Sequence, residues 1–229
     1  MSPEPVDALL AAVRPDHTHR DVERLLLDAG WVPCGAGDWA FALASPDGDL
    51  AARISPFDPV GPHTARLYRE AAGTRRVPTL HAHRRLAGGG DLQVLERLVP
   101  VPEHEAVGFL ARLAVPEPDL APLARIVAAV HADARRDLPW CGPLDGNPSN
   151  VMRALDGRLV LLDPYYADGP DLYATAERDP DRVVARIPEH ERRFMTEIPL
   201  TASGPWAPEE RAALAERLRL ADERRARQT

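Results

Sequence analysis

The sequence predicts an α+β protein in two lobes, a small antiparallel sheet followed by a mainly helical region. Three observations carry that prediction. Between residues 32 and 54, short β-prone runs alternate with turns rich in glycine and proline. Beyond residue 103, apolar residues recur at three- and four-residue spacing. Within that helical half, two apolar runs flank Asp156-Gly157, a hairpin turn signal. With 229 residues and 45% hydrophobic content, the chain can bury a substantial core, enough for one domain or two small lobes. The division is expected near residues 98–101, where Pro100 and Pro102 stiffen a connector. Residues 1–98 then form a helical extension with the small lobe, and 99–229 the large lobe.

Taken in order, residues 32–38 read as a strand running into a turn that contains Gly35 and Gly37, and residues 39–44 and 50–54 as strands separated by the Pro46-Asp47-Gly48 turn. Ser55-Pro56-Phe57-Asp58-Pro59 breaks the pattern, and residues 63–74 carry a helical one that contains Glu70. Val77 to Leu80 returns to the sheet, and the Gly88-Gly89-Gly90 turn leads into a strand over residues 92–98. Helices are expected over 103–114 and 120–132, the second supporting a loop through Leu123, Ile126, Val127 and Val130, with His131 packing or capping at its end. The runs 151–155 and 158–162 form the hairpin. A helical segment over 181–195, interrupted by Pro188, and an amphipathic helix over 208–227 complete the chain.

Composition excludes several classes of protein. The net charge of −7 does not favour general attraction to nucleic acid, and the basic end at Arg224, Arg225 and Arg227 is interleaved with acidic residues. No apolar run reaches membrane-spanning length, and Met1-Ser2-Pro3-Glu4-Pro5 lacks the features of a secretory signal, so a cytoplasmic protein is expected. Cys34 and Cys141 are too few and too isolated for a disulfide framework and read as reduced thiols. His17, His19, His81 and His83 lack the spacing and supporting carboxylate of a zinc site and read as loop residues.

The chemistry is concentrated at Asp145-Gly146-Asn147-Pro148-Ser149-Asn150. The hairpin that follows folds Asn150 and Asp163 to the same end, where both can reach one hard cation that prefers oxygen ligands. Phosphoryl transfer from a nucleotide calls for this set: one carboxylate to orient the attacking hydroxyl and accept its proton, with an Asn and a second carboxylate to hold Mg²⁺. Each of these residue types is also an ordinary turn former. Tyr165, Tyr166, Asp168 and Asp171 follow directly, either lining an acceptor pocket that favours a cation or serving as loop and capping residues.

Residues 139–169 resemble the catalytic and metal-binding segments of the aminoglycoside-phosphotransferase-like branch of the protein-kinase-like superfamily. There the pattern runs roughly His-Gly-Asp-Leu-His-Pro-Gly-Asn and then an apolar run into Ile-Asp. The resemblance implies a two-lobed protein-kinase-like fold, ATP and Mg²⁺ as cofactors, Asp145 as the base, and Asn150 and Asp163 as metal ligands. Pro143-Leu144 stand in place of the pattern's His-Gly, Gly146 in place of its Leu, and Ser149 in place of its second Gly. Kinase-like enzymes generally hold the phosphates with a strand lysine oriented by a helix glutamate. This sequence has no lysine, so all 28 of its basic residues are arginines. Arg53 stands where the lysine is expected, Glu70 where its partner is expected, and Gly35 and Gly37 where a phosphate cover would lie. Leu95, Glu96 and Arg97 correspond to an interlobe hinge that meets the adenine. The function implied is phosphorylation of a hydroxyl on a small molecule. The alternatives are a Ser/Thr peptide kinase or a non-catalytic pseudokinase that binds nucleotide or a protein partner.

Overall fold

The computed structural model describes residues 10–197 and 207–228, so the reading of Met1 to Pro5 falls outside the described residues. The N-terminal strands build one five-stranded antiparallel sheet from β1 (Val32–Ala36), β2 (Phe41–Ala44), β3 (Leu50–Ser55), β4 (Leu80–Arg85) and β5 (Asp91–Glu96), in the order β1-β2-β3-β5-β4. Side chains alternate across a strand, so each strand has an outer and an inner face. On the outer face, Ala52, Ile54, Leu92 and Val94 pack with Val22 and Leu26 of α1 (His19–Asp28). Each of the buried Ile, Leu and Val side chains among them contributes roughly 1.5–3 kcal/mol. A capping box between Thr18 and Asp21 starts α1 by satisfying amide groups that the first turn leaves open.

The inner face carries the polar residues of interest. Arg53 pairs in register with Gln93, and Ser55 with Asp91. Across this face lies α2 (Gly61–Glu70), which begins earlier than its sequence pattern suggests and ends at Glu70, followed by a 3-10 turn over Ala72–Thr74.

The sheet changes after Arg97. Strand β6 (Leu98–Pro100) pairs with β7 (Val151–Ala154), and β7 with β8 (Leu159–Leu161), in a separate three-stranded sheet. In the β7–β8 turn only Gly157 takes a positive φ (+90°), whereas the Asp-Gly signal had implied a two-residue turn. A glycine in the left-handed region at the end of a longer turn is the next commonest hairpin solution. Helices α3 (Glu103–Ala114), α4 (Ala121–Asp137), α5 (Gly169–Arg178), α6 (Pro180–Arg186) and α7 (Pro208–Ala226) make up the rest of the large lobe. The segment expected over 181–195 is interrupted at Pro188, as its sequence suggests: the helix ends at Arg186, Ile187 is extended (φ −121°, ψ 101°) as favoured before proline, and only 3-10 turns follow within it.

One apolar core runs across both lobes, joining Phe57, Leu67, Tyr68 and Leu95 to Leu123, Val127, Val130, Trp140, Leu161 and Leu172. A second tie lies at the β4–β5 turn. The backbone at Gly89 has φ +91°, and an added Cβ would sit 1.8 Å from the Glu191 carbonyl oxygen, so this close approach admits only glycine. Among the described residues, no helix is long and apolar enough to cross a membrane.

Candidate active site

The loop carrying Asp145 is held from beneath by α4. His131 donates from Nε2 to the Gly142 carbonyl (2.8 Å) and stacks on Tyr165, with ring centroids 5.7 Å apart and planes 5° from parallel. Gly142 itself donates to Tyr166 O (3.0 Å), and a Cβ there would meet the Tyr166 ring at 2.5 Å. The Asp145 amide donates to Pro164 O (3.0 Å). These contacts brace the loop without the pattern's histidine, which this chain replaces with Pro143. His131 was legible only as a packing residue, since nothing local tells which carbonyl it meets.

Asp145 is oriented from both sides. Its Oδ1 accepts the Asn147 amide (2.9 Å) and its Oδ2 accepts Asn150 Nδ2 (2.8 Å). The same Nδ2 also donates to the backbone oxygen of Asp163 (3.2 Å), joining the two loops. This leaves Asn150 Oδ1 with no protein partner among the described residues. The β7–β8 hairpin thus brings Asn150 and Asp163 together.

Asp163 adopts φ +41°, a left-handed conformation that Asp tolerates better than most residues. Its amide donates to the Tyr68 hydroxyl (3.1 Å), and its Oδ2 accepts Arg53 Nε (2.8 Å). Burial, reinforced by the neighbouring Asp163 charge, raises the Tyr68 hydroxyl well above its ordinary pKa, so it stays protonated. Tyr68 was not foreseen from sequence, because its role depends on the tertiary packing that brings α2 beside Asp163.

Arg53 therefore points into the site from β3, as its strand position implied, but its partner is not Glu70. Arg53 Nη1 donates to Asp58 Oδ2 (2.9 Å), and Asp58 is almost fully buried. Glu70 instead accepts from Arg66 Nε (2.6 Å), one turn earlier on the exposed side of α2. Burial works against the Arg53 charge, but Asp163, Asp58 and Asp91 outweigh it and hold the guanidinium above its ordinary range. For Asp58, burial dominates and raises its carboxyl above the usual carboxylate range despite Arg53.

The hinge expectation is also corrected in part. Leu95 lines the cleft, whereas Glu96, on the opposite side of the strand, accepts two bonds from Arg158 (2.5 and 2.6 Å) and one from the Thr79 amide. The amides of Glu96 and Arg97 donate to Thr79 O (3.0 Å) and Asp49 O (2.7 Å), so neither donor is free to meet a base. Gly35 and Gly37 do line the cleft. A Cβ at either would meet nothing nearer than 3.8 Å, so the fold does not itself demand glycine there. Cys141 is a buried free thiol whose pKa burial raises, and Cys34 is exposed and free.

Together these residues surround one cleft of about 490 Å³ between the lobes, lined by Arg53, Asp58, Asp145, Asn150 and Asp163 and walled by Trp39, Val60, Leu95 and Leu162. Its acidic residues are Asp38, Asp58, Asp145 and Asp163, against the single guanidinium of Arg53. An unaccompanied polyanion would be repelled by that balance, and a cation would be drawn in. Among the described residues, no three His, Cys, Asp or Glu side chains cluster to hold a metal. Asn150 Oδ1 and the Asp163 carboxylate still fit Mg²⁺, which binds through one or two carboxylates plus substrate phosphates and keeps several waters.

No family model matches the sequence, and no curated protein matches it. Among solved structures, the chain is similar to an apo pseudokinase at 13% identity and TM-score 0.32, covering 86% of this chain and 84% of that one. It is similar to the Mycobacterium tuberculosis PknI kinase domain at 14% identity and TM-score 0.28, covering 82% and 96%. The likeness to the aminoglycoside phosphotransferase APH(3'')-Id from Streptomyces rimosus has 17% identity and TM-score 0.32, covering 89% and 98%. Likenesses this loose say nothing about activity. By its own sheet order, its interlobe cleft and the loops bearing Asp145, Asn150 and Asp163, the chain has a two-lobed α+β fold of the kind that the protein-kinase-like resemblance implies.

Proposed function

We propose that the cleft binds a nucleoside triphosphate with Mg²⁺ and transfers its terminal phosphoryl group to a hydroxyl of a small molecule. The observation that carries this reading is the Arg53–Asp163 contact (2.8 Å), which ties the sheet of one lobe to the hairpin of the other beside Asp145 and Asn150. Arg53 then meets the phosphates, and Asp163 with Asn150 Oδ1 holds the metal. Bound Mg²⁺ would neutralise the charge on the phosphates. Asp145 orients the acceptor hydroxyl and takes its proton as the acceptor oxygen bonds to the γ-phosphorus and the bond to the β-phosphate oxygen breaks, releasing the nucleoside diphosphate. The acidic cleft favours a cationic acceptor, and a short Ser/Thr peptide is the alternative acceptor class. We place this activity in the cytoplasm.

A non-catalytic role, binding nucleotide or a protein partner, is the competing reading, and arginine in the lysine position together with Pro143-Leu144 in place of His-Gly favours it. Transfer of labelled γ-phosphate from Mg-ATP to aminoglycosides, nucleosides and Ser/Thr peptides separates the two. Transfer by the wild type is expected, falling about 10²- to 10⁴-fold in Asp145→Asn while nucleotide affinity is retained. Nucleotide binding without transfer to any acceptor would support the non-catalytic role.

A further inference from the structure

We propose that Asp58 is the positioning residue for Arg53, filling from the loop after β3 the place that the sequence assigned to Glu70 on α2. The inference rests on the nucleotide-binding reading above. Asp58 is fixed at four points. Its Oδ2 accepts Arg53 Nη1 (2.9 Å), and its Oδ1 accepts the Val60 amide (3.1 Å). Its own amide donates to Gly89 O (3.1 Å), and its carbonyl accepts Arg85 Nη1 (2.8 Å). With its side chain only 3% exposed, the carboxylate has little freedom to leave Arg53.

The planar guanidinium makes this arrangement workable. Nε is used on Asp163 and one Nη1 bond on Asp58, so Nη2 remains to meet a phosphate oxygen. Sharing Arg53 with Asp58 also keeps it from closing entirely on Asp163, whose carboxylate the metal requires. An ammonium also has three donors, but they rotate and spread tetrahedrally, so it would not hold two carboxylates and a phosphate oxygen in this fixed plane. Because Arg53 and Asp58 belong to one strand and its exit loop, the clamp is preformed and does not wait for α2 to move inward. Glu70, 44% exposed and paired with Arg66, takes no part.

Simple charge and positioning predict opposite outcomes. Neutralising Asp58 makes an acidic cleft less acidic, which on charge alone tightens anion binding. Loss of positioning weakens it. Calorimetric titration of the full chain with Mg-ATP and with adenosine, alongside the melting temperature without ligand, distinguishes them. In Asp58→Asn, Mg-ATP affinity should fall about tenfold or more while adenosine affinity changes less than about twofold. Glu70→Gln should match the wild type with both ligands. If Asp58→Asn does not fold, Asp58→Glu keeps the charge but displaces it, and the same selective loss for Mg-ATP is expected. Unchanged or tighter Mg-ATP binding in the Asp58 variant, or equal losses for both ligands, would overturn the proposal. Failure of the wild type to bind Mg-ATP is a separate result and removes the nucleotide-binding reading itself, together with this inference.

Discussion

Replacing Arg53 with Leu removes the cation from a buried cluster, and the structure sets the size of the effect. The Asp58 carboxylate, with 3% side-chain exposure, then keeps only the Val60 amide as a partner among the described residues, and Asp163, with 25%, turns partly to solvent. Stranding a buried charge costs about 3–5 kcal/mol, and most of that here falls on Asp58. In a chain of this size, 1 kcal/mol corresponds to roughly 2–4 °C, so a drop in melting temperature on the order of 6–20 °C is expected. Asp58 can relieve the cost by taking a proton, because burial already raises its carboxyl above the usual range. A carboxyl whose folded pKa lies above its unfolded value binds more protons folded than unfolded between the two, so stability falls as pH rises through that window. The Arg53→Leu deficit should therefore be larger at pH 8 than at pH 5, and adding Asp58→Asn should recover part of it. Urea unfolding followed by circular dichroism at both pH values measures this. A deficit below about 1 kcal/mol at pH 8, or one that Asp58→Asn deepens, would refute the reasoning.

Two further outcomes follow from neighbouring contacts. His131→Ala should lower stability by about 1–2 kcal/mol and lower phosphoryl transfer more than nucleotide affinity, because it frees the Gly142 carbonyl and unstacks Tyr165 beneath the Asp145 loop. Denaturation and transfer assays on the same variant check both parts. His19 is buried against Phe194, and burial, aided by Arg20, lowers its pKa to about 4. A histidine with a depressed folded pKa resists protonation when folded, so its contribution to stability is present above about pH 6.5 and is lost on acidification toward pH 4. The melting temperature should fall over that interval, and less steeply in His19→Gln.

The Asp145, Asn150 and Asp163 set was legible because a local turn and one hairpin determine where all three lie. Arg53 was legible as a strand residue, since alternation along β3 puts it opposite Ala52 and Ile54. Its partner was not. The segment containing Asp58 reads as a string of turn formers, and only tertiary packing beneath Gly89 and Arg85 buries it. Glu70 illustrates a signal passed over: Arg66 stands one helical turn before it, the spacing at which opposite charges pair on a helix surface. Glu96 likewise follows from alternation, because a cleft-facing Leu95 turns its neighbour to the other side of the strand.

The central claim is that Asp163 and Asn150 hold a metal-bound nucleotide that Arg53 helps to grip. Titration of wild type and Asp163→Asn with ATP, each with Mg²⁺ and with EDTA, tests it most directly. The account predicts saturable binding by the wild type only with Mg²⁺, and a loss of about tenfold or more in Asp163→Asn. Binding that is equally strong in EDTA, or unchanged in Asp163→Asn, would contradict it.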